Sequence, residues 1–499
     1  MIDKQEIIDL YNVLCDFAGR TLSREEYRGL ETKYSSSLIE MIWGSWNNFT
    51  QEAIQYLNRQ RTDITLTVDK EVNDIVITQV TDGSNINFDF FDTLLNYCDK
   101  TKSNLYILWG KALYREDIFT TEVYELIKPY LCTKLILEKD KSCLIKDFNI
   151  SATHKNPLLN IDKLSTSFNT VITGSSKQHL QILPYKNYNP YRVACSTGTI
   201  SLPDYKENIS GYLDEKNHCY GAIKLTYDEK QKRYIIRNLN YENGYIYDLN
   251  TYYDKTKAYS NKEVECMVLG DLHLPEEDEE AYSKTLMHIS KLKPKTVVIH
   301  DVASWNSISH HEQYKYLTKV KSKTAETFSL ELELNCVLEK LKALATDFPN
   351  IQFKIVNSNH DDFINKWLDN GEFVKDTINA KMGAKLYIDY LENKNILTTH
   401  LPKNISFIPK NTSFSIQDYE LSEHGDSGIS GAGGSINAFN KSFDKIIIGH
   451  THSPQIHNKT IVVGTLSKLV LNYNTKGMTK WAHANCIIHK NGSFQLIFL

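Results

Sequence analysis

The chain has 499 residues, 41% of them apolar and 24% charged, with a net charge of −4. Such a composition is that of a globular protein and excludes a generally basic nucleic-acid coat, so any DNA contact must come from a local basic face. No run of about 18 apolar residues occurs, and the opening MIDKQEIIDLYNVLCDF carries acids where a signal peptide carries bases; the expectation is a cytoplasmic protein with no membrane contact.

At about 100–200 residues per domain the length predicts two to four domains. Residues 1–65 carry helical periodicity throughout, and the spacing of Trp43, Trp46 and Phe49 is that of a helical core. The stretch SREEYRGLETKYSSSLIEMIWGSWNNFTQEA resembles the small helical repeats appended to homing endonucleases, in which an arginine and tyrosine element precedes a serine-led helix and a GSW turn. That resemblance implies that Ser35, Ser36 or Ser37 caps a recognition helix and that Arg20, Arg24, Arg28 and Lys33 face DNA phosphates. The alternative is a plain helical bundle with the same aromatic core.

Residues 66–255 read as an α+β accessory domain. DIVITQV is a predicted strand, FDFFDTLLNYCDK an amphipathic helix and SNLYILWG a second strand, the start of a βαβ unit. HLQILPY, YRVACSTGTISL, YGAIKLTYD and RYIIRNLNYENGYIYDL follow as strands rich in tyrosine and β-branched residues. His218 beside Cys219 reads as packing, because no second pair stands at metal-site spacing, and Ser196–Thr199 lacks the lysine of a P-loop. All nine cysteines are scattered without a CxxC pair, as expected of reduced, packed thiols.

YYDKTKAYSNKEVE (252–265) is the predicted connector into a third domain, 256–499. There, short apolar runs deliver acidic and histidine words. VECMVLG delivers Asp271 and His273, PKTVVIH delivers Asp301, IQFKIVN delivers Asn359 and His360, and FDKIIIG delivers His450 and His452. A long amphipathic helix or helix pair between the second and third runs would cover one sheet face, which makes the whole an α/β architecture.

Histidine and aspartate are the ligands of a two-metal hydrolytic site, in which ions about 3.5–4 Å apart share a carboxylate and clamp the attacking and leaving oxygens of a phosphoryl displacement. Residues two apart on extended backbone leave the same face, so Asp271 with His273, and His450 with His452, can each meet one ion. The words in this order resemble the calcineurin-like metallophosphoesterase superfamily, whose pattern runs DxH, GDxxD, GNHD/E, HG, GHxH; the match spans about residues 263–499. The resemblance implies a β-sandwich flanked by helices. It implies that Asp271, His273 and His452 bind a first metal, that Asp301 bridges, and that Asn359, His424 and His450 bind a second. His360 would stand at the leaving-group oxygen as proton donor or charge stabiliser, oriented by Asp361. Manganese is the expected ion, with iron, zinc or magnesium as alternatives.

The pattern is broken in three places. His300 replaces the glycine before Asp301, Ser304 replaces the second aspartate of GDxxD, and Ser358 replaces the glycine of GNHD. For the fourth motif His424 is preferred over His400, because Gly425 follows it. His310 and His311 either reach a substrate phosphate or begin the long helix capped by Ser309. The run Gly425–Ser435 is either a phosphate cradle, with a helix starting near Ser435, or a mobile loop.

Three functions compete. One is a manganese-type DNA nuclease. The motif flavour resembles phage-encoded members of the superfamily, including pre-early proteins tied to destruction of host DNA, and relatives of this kind imply a homo-oligomer. The second is a phosphomonoesterase or small-nucleotide phosphodiesterase. The third is a non-catalytic binding or regulatory protein whose metal site has decayed through the Ser304 change.

Overall fold

The computed structural model describes residues 4–56, 62–111, 119–164, 167–186, 190–309, 329–392, 394, 397, 400–471 and 477–499. It is a mixed α/β protein with several sheets. The chain divides into two compact units: Met1–His179 with Ala194–Ile246 and Tyr253–Lys257, and Leu180–Val193 with Tyr247–Tyr252 and Ala258–Leu499. None of the helices in the described residues is long and apolar enough to cross a membrane. All nine cysteines are free thiols.

The first unit begins with the helices Lys4–Ala18, Arg24–Arg28, Ser36–Trp43 and Trp46–Tyr56. Ser23 caps the second in a reciprocal box with Glu26, and Ser35 caps the third by accepting from Leu38 N–H at 3.2 Å. Gly44, at φ 79°, ends the third helix in the left-handed conformation that only glycine adopts without strain. Trp43, Trp46 and Phe49 are buried together with Tyr11 and Tyr27, and Phe49 meets both Tyr11 and Trp43 edge-on at 4.9 Å. The aromatic triad is therefore this bundle's core.

The expected βαβ start follows. Strands Asp74–Thr81 and Asn104–Gly110 pair in parallel, joined by the helix Phe88–Thr101, which Asn87 caps. Gly221–Asp228 adds antiparallel to the first strand and Arg233–Glu242 antiparallel to that. His218 is held by Tyr205, whose hydroxyl lies 2.9 Å from Nδ1, and by the Ser201 carbonyl 3.0 Å from Nε2. Burial pushes this imidazole down to about 4, the behaviour of a packed, neutral ring.

In the second unit a six-stranded sheet runs in the order Ile405–Ile408, Gln352–Val356, Thr296–Ile299, Cys266–Val268, Ala484–Ile488, Phe494–Phe498. The first four are parallel and the last two antiparallel. Helices Glu279–Leu292 and Leu330–Asp347 cover one face, burying Ile289, Leu334, Val337 and Leu341 against Met267, Val297, Ile299, Phe353 and Ile355. A second sheet contains Gln455–His457, Thr460–Val462, Ile446–Ile448, Tyr419–Glu420 and Ser415–Ile416 in that order. Its outer face is covered by the helix Ile436–Ser442 through Phe439, and Ser435 caps that helix as expected. Tyr419 of this sheet meets Phe494 of the six-stranded sheet, their ring centroids 6.2 Å apart.

The segment 252–265 differs from a plain connector. It holds the short strands Thr251–Tyr253 and Ala258–Tyr259, and Tyr252 stacks on Tyr259 with centroids 4.5 Å apart.

Candidate metal centre

Parallel pairing puts the carboxyl ends of Cys266–Val268, Thr296–Ile299 and Gln352–Val356 along one edge, and each is followed by a ligand word. Beyond their strands the first two words stay in register: Leu272 N–H donates to His300 O at 3.1 Å and His273 N–H to Asp301 O at 2.7 Å. The last word enters from the second sheet, where the His450 N–H donates to Asp271 Oδ2 at 2.7 Å. His273, Asp301, His450 and His452 have φ of 52°, 42°, 72° and 56°. Non-glycine residues rarely hold this left-handed backbone, and each instance costs about 1–3 kcal/mol. Four such residues at one place mark a site where geometry is imposed by the surrounding fold.

Asp271, His273, Asp301 and His452 are all buried, and each offers a ligand atom within 4.8 Å of the others. His273 Nε2 lies 2.9 Å from His452 Nε2 and 3.4 Å from Asp301 Oδ2, and His452 Nε2 lies 3.1 Å from Asp271 Oδ2. Two imidazole nitrogens and two carboxylates thus converge on one point. His424 is buried with Nε2 3.1 Å from Asp301 Oδ2, and its ring centroid is 5.3 Å from that of the half-buried His450. Asn359 stands half-buried on the turn after Val356. His400 is exposed and lies outside this group.

Three oxygens, Asp271 Oδ1, Asp301 Oδ1 and Asn359 Oδ1, are buried without a hydrogen-bond partner. A buried oxygen left unpaired costs about 1–3 kcal/mol, more when charged, unless a cation takes it up. Hard oxygens and imidazoles, with no thiolate, suit a divalent ion of the manganese, iron or magnesium kind. The donor set therefore fits a metal ion. Burial pushes His273 down to about 3, so the imidazole is neutral and its lone pair is free for a ligand bond at neutral pH. Burial also works against charge on His424, but the Asp301 and Asp271 carboxylates outweigh it and raise the imidazole to about 9, so a cation taken up there would have to displace its proton. Asp301 is held well below the usual carboxylate range: burial opposes its ionisation, and His424, His360 and His273 more than compensate.

His360 packs on His273 with ring centroids 4.7 Å apart. The expectation that Asp361 orients it is corrected by the hydrogen bonds. His360 Nδ1 is 2.9 Å from the Ser304 carbonyl oxygen, whereas Asp361 accepts from Ser358 N–H at 3.0 Å and from Trp305 Nε1–H at 3.3 Å. Asp361 begins the helix Asp361–Asp369, and its carboxylate turns back to fix the preceding turn instead of reaching its neighbour's ring. The Ser304 Oγ lies 3.2 Å from both the His273 carbonyl and Glu276 Oε2.

Gly449 is required by contact. A Cβ there would fall 2.2 Å from Asp271 Oδ1. His300 is buried beside His424, with the two Nδ1 atoms 3.4 Å apart. The glycine run is closed on itself by Gly428 N–H to Ala432 O at 2.7 Å and Gly434 N–H to Asp426 O at 2.9 Å. His310 and His311 lie outside the described residues. In the helical bundle Arg20 pairs with Glu26 and Arg24 with Glu40, so two of the three arginines expected to face phosphates are engaged by acids, while Arg28 is exposed.

No protein-family profile matches the chain, and no solved structure matches it. The chain is similar to Protein A1 of Escherichia phage T5, with 27% identity over 462 residues, covering 86% of this chain and 82% of that protein.

Proposed function

We propose that this chain is a phage-encoded, metal-dependent nuclease that hydrolyses DNA phosphodiester bonds with two divalent ions, manganese foremost, and acts on host DNA in the host cytoplasm. The similarity to a phage protein over most of its length supports the origin. The observation that carries the chemistry is the convergence of Asp271, His273, Asp301 and His452 with buried, unpartnered carboxylate oxygens.

In this reading Asp271, His273 and His452 would hold one ion, Asn359, His424 and His450 would hold the other, and Asp301 would be available to both. Ions so held would supply Lewis-acid polarisation of the phosphoryl group and a nucleophile at neutral pH. His360 carries its proton on Nδ1, donating to the Ser304 carbonyl, which leaves Nε2 to exchange a proton with the leaving-group oxygen. Burial of the cluster strengthens every charge interaction within it and keeps bulk water from competing. The ligand set is complete despite the Ser304 change, which supports catalysis over a decayed binding site.

One incubation series tests the reading: purified protein, several divalent metals, and labelled duplex DNA, single-stranded DNA and a chromogenic phosphomonoester. Metal-dependent DNA cleavage is expected. Rapid monoester hydrolysis with DNA left intact would assign the chain to the phosphatases, and inactivity on all three would leave a binding protein.

A further inference from the structure

His452 presents Nε2 to His273 and Asp271, and its other ring nitrogen, Nδ1, is buried with no hydrogen-bond partner. An imidazole that binds metal almost always donates its second N–H to a carboxylate, a carbonyl or water, which fixes its tautomer and ring plane. Two rings pack edge-on with this imidazole: His273, with centroids 4.8 Å apart, and, closer, Trp481, with centroids 4.2 Å apart and planes crossing at 68°. Edge-on approach of this kind is the geometry in which a ring N–H meets the electron-rich face of an indole.

Trp481 is held where it is by its backbone. Its carbonyl accepts from the Tyr185 hydroxyl at 2.5 Å, and its N–H donates to Thr479 Oγ1 at 3.0 Å. Thr479 in turn exchanges both backbone hydrogen bonds with Tyr185. The next residue closes the frame, Ala482 N–H donating to the His452 carbonyl at 3.1 Å. Backbone and ring contacts thus bind Trp481 and His452 into one unit, far apart in sequence.

Resting on the metal-centre reading above, we propose that Trp481 is the positioning residue of His452: its indole face takes the place of the polar acceptor and holds Nε2 toward Asp271. A π face is a weaker acceptor than a carboxylate, so His452 is a less basic ligand than a conventionally partnered histidine. An ion held by His452 would then exchange more readily.

The test is manganese affinity of the full chain, by calorimetry, for wild type and for Trp481→Leu, Trp481→Phe and Trp481→Gln, with a melting curve for each. Loss of the acceptor in Trp481→Leu is expected to weaken binding by about tenfold or more, the range seen when the outer partner of a ligand is removed. Trp481→Phe keeps an aromatic face and Trp481→Gln supplies a carbonyl acceptor, so both should bind within about threefold of wild type. A purely space-filling tryptophan predicts that Gln is as damaging as Leu, and that result overturns the proposal, as does a Leu variant with unchanged affinity. If Trp481→Leu fails to fold, the Phe and Gln variants decide: tenfold loss in both overturns it. Wild type that binds no manganese would sink the metal centre itself, an outcome distinct from any of these.

Discussion

His360 Nδ1 lies 2.9 Å from the backbone carbonyl oxygen of Ser304. The contact fixes the tautomer through the main chain, so it is indifferent to the side chain at 304. His360→Ala should lower the turnover rate by about 10²–10⁴, the usual contribution of a positioned acid or base, while metal content stays at the wild-type level. Ser304→Ala keeps the carbonyl and should stay within a few-fold of wild type. Steady-state rates with metal analysis on the same preparations check both, and a Ser304→Ala rate as low as that of His360→Ala would refute the main-chain role.

Gly449→Ala places a methyl group 2.2 Å from Asp271 Oδ1. The Asp271 carboxylate cannot simply turn away, because its other oxygen accepts the His450 N–H. Metal affinity should fall by at least about tenfold with the circular dichroism spectrum unchanged. Full metal occupancy in this variant would show that Asp271 is not a ligand.

Glu333 is buried in the helix Leu330–Asp347, and burial raises its carboxyl to about 7, against hydrogen bonds from the Asn306 N–H and from the Ser307 N–H and hydroxyl. A carboxyl raised in the folded state binds its proton more tightly than the unfolded chain does. Its contribution is therefore present below the unfolded value near 4.5 and lost as pH rises through about 7. The difference amounts to at most about 3 kcal/mol. Denaturant melts of wild type against Glu333→Gln across pH 5–8 should show a wild-type decline that the variant lacks; parallel curves would place the carboxyl in a solvated setting.

Arg28 is exposed, whereas Arg20 and Arg24 are paired with Glu26 and Glu40. If the helical bundle contacts duplex phosphates, Arg28→Ala should weaken binding equally on unrelated sequences and reduce the salt slope by about 1. Arg20→Ala should act mainly on the melting temperature, through the capping box of the helix Arg24–Arg28. Unchanged DNA affinity and slope in Arg28→Ala would remove this residue from the interface.

The buried cluster of Asp271, His273, Asp301 and His452 was legible because these residues follow short apolar strands at fixed spacing. What stayed hidden acts through other means. The partner of His360 is a main-chain carbonyl, and a carbonyl leaves no trace in residue identity. Trp481 meets His452 through tertiary pairing, and a lone tryptophan has no spacing to read. Gly449 looks like any strand-ending glycine until the approach of Asp271 is known. In the fold, the βαβ start was readable from period, and the final antiparallel pair Ala484–Ile488 and Phe494–Phe498 carried an Asn491–Gly492 turn signal that went unused. The strand Ile405–Ile408 is only four residues long and half-buried at its two middle positions, too little period to read.

The most direct measurement is cleavage of end-labelled duplex DNA by one preparation before chelation, after chelation, and after manganese is restored. Activity that disappears with the metal and returns with it, and that Asp301→Asn abolishes throughout, is the predicted result. Intact DNA in the presence of protein whose metal sites are shown to be filled would contradict the account.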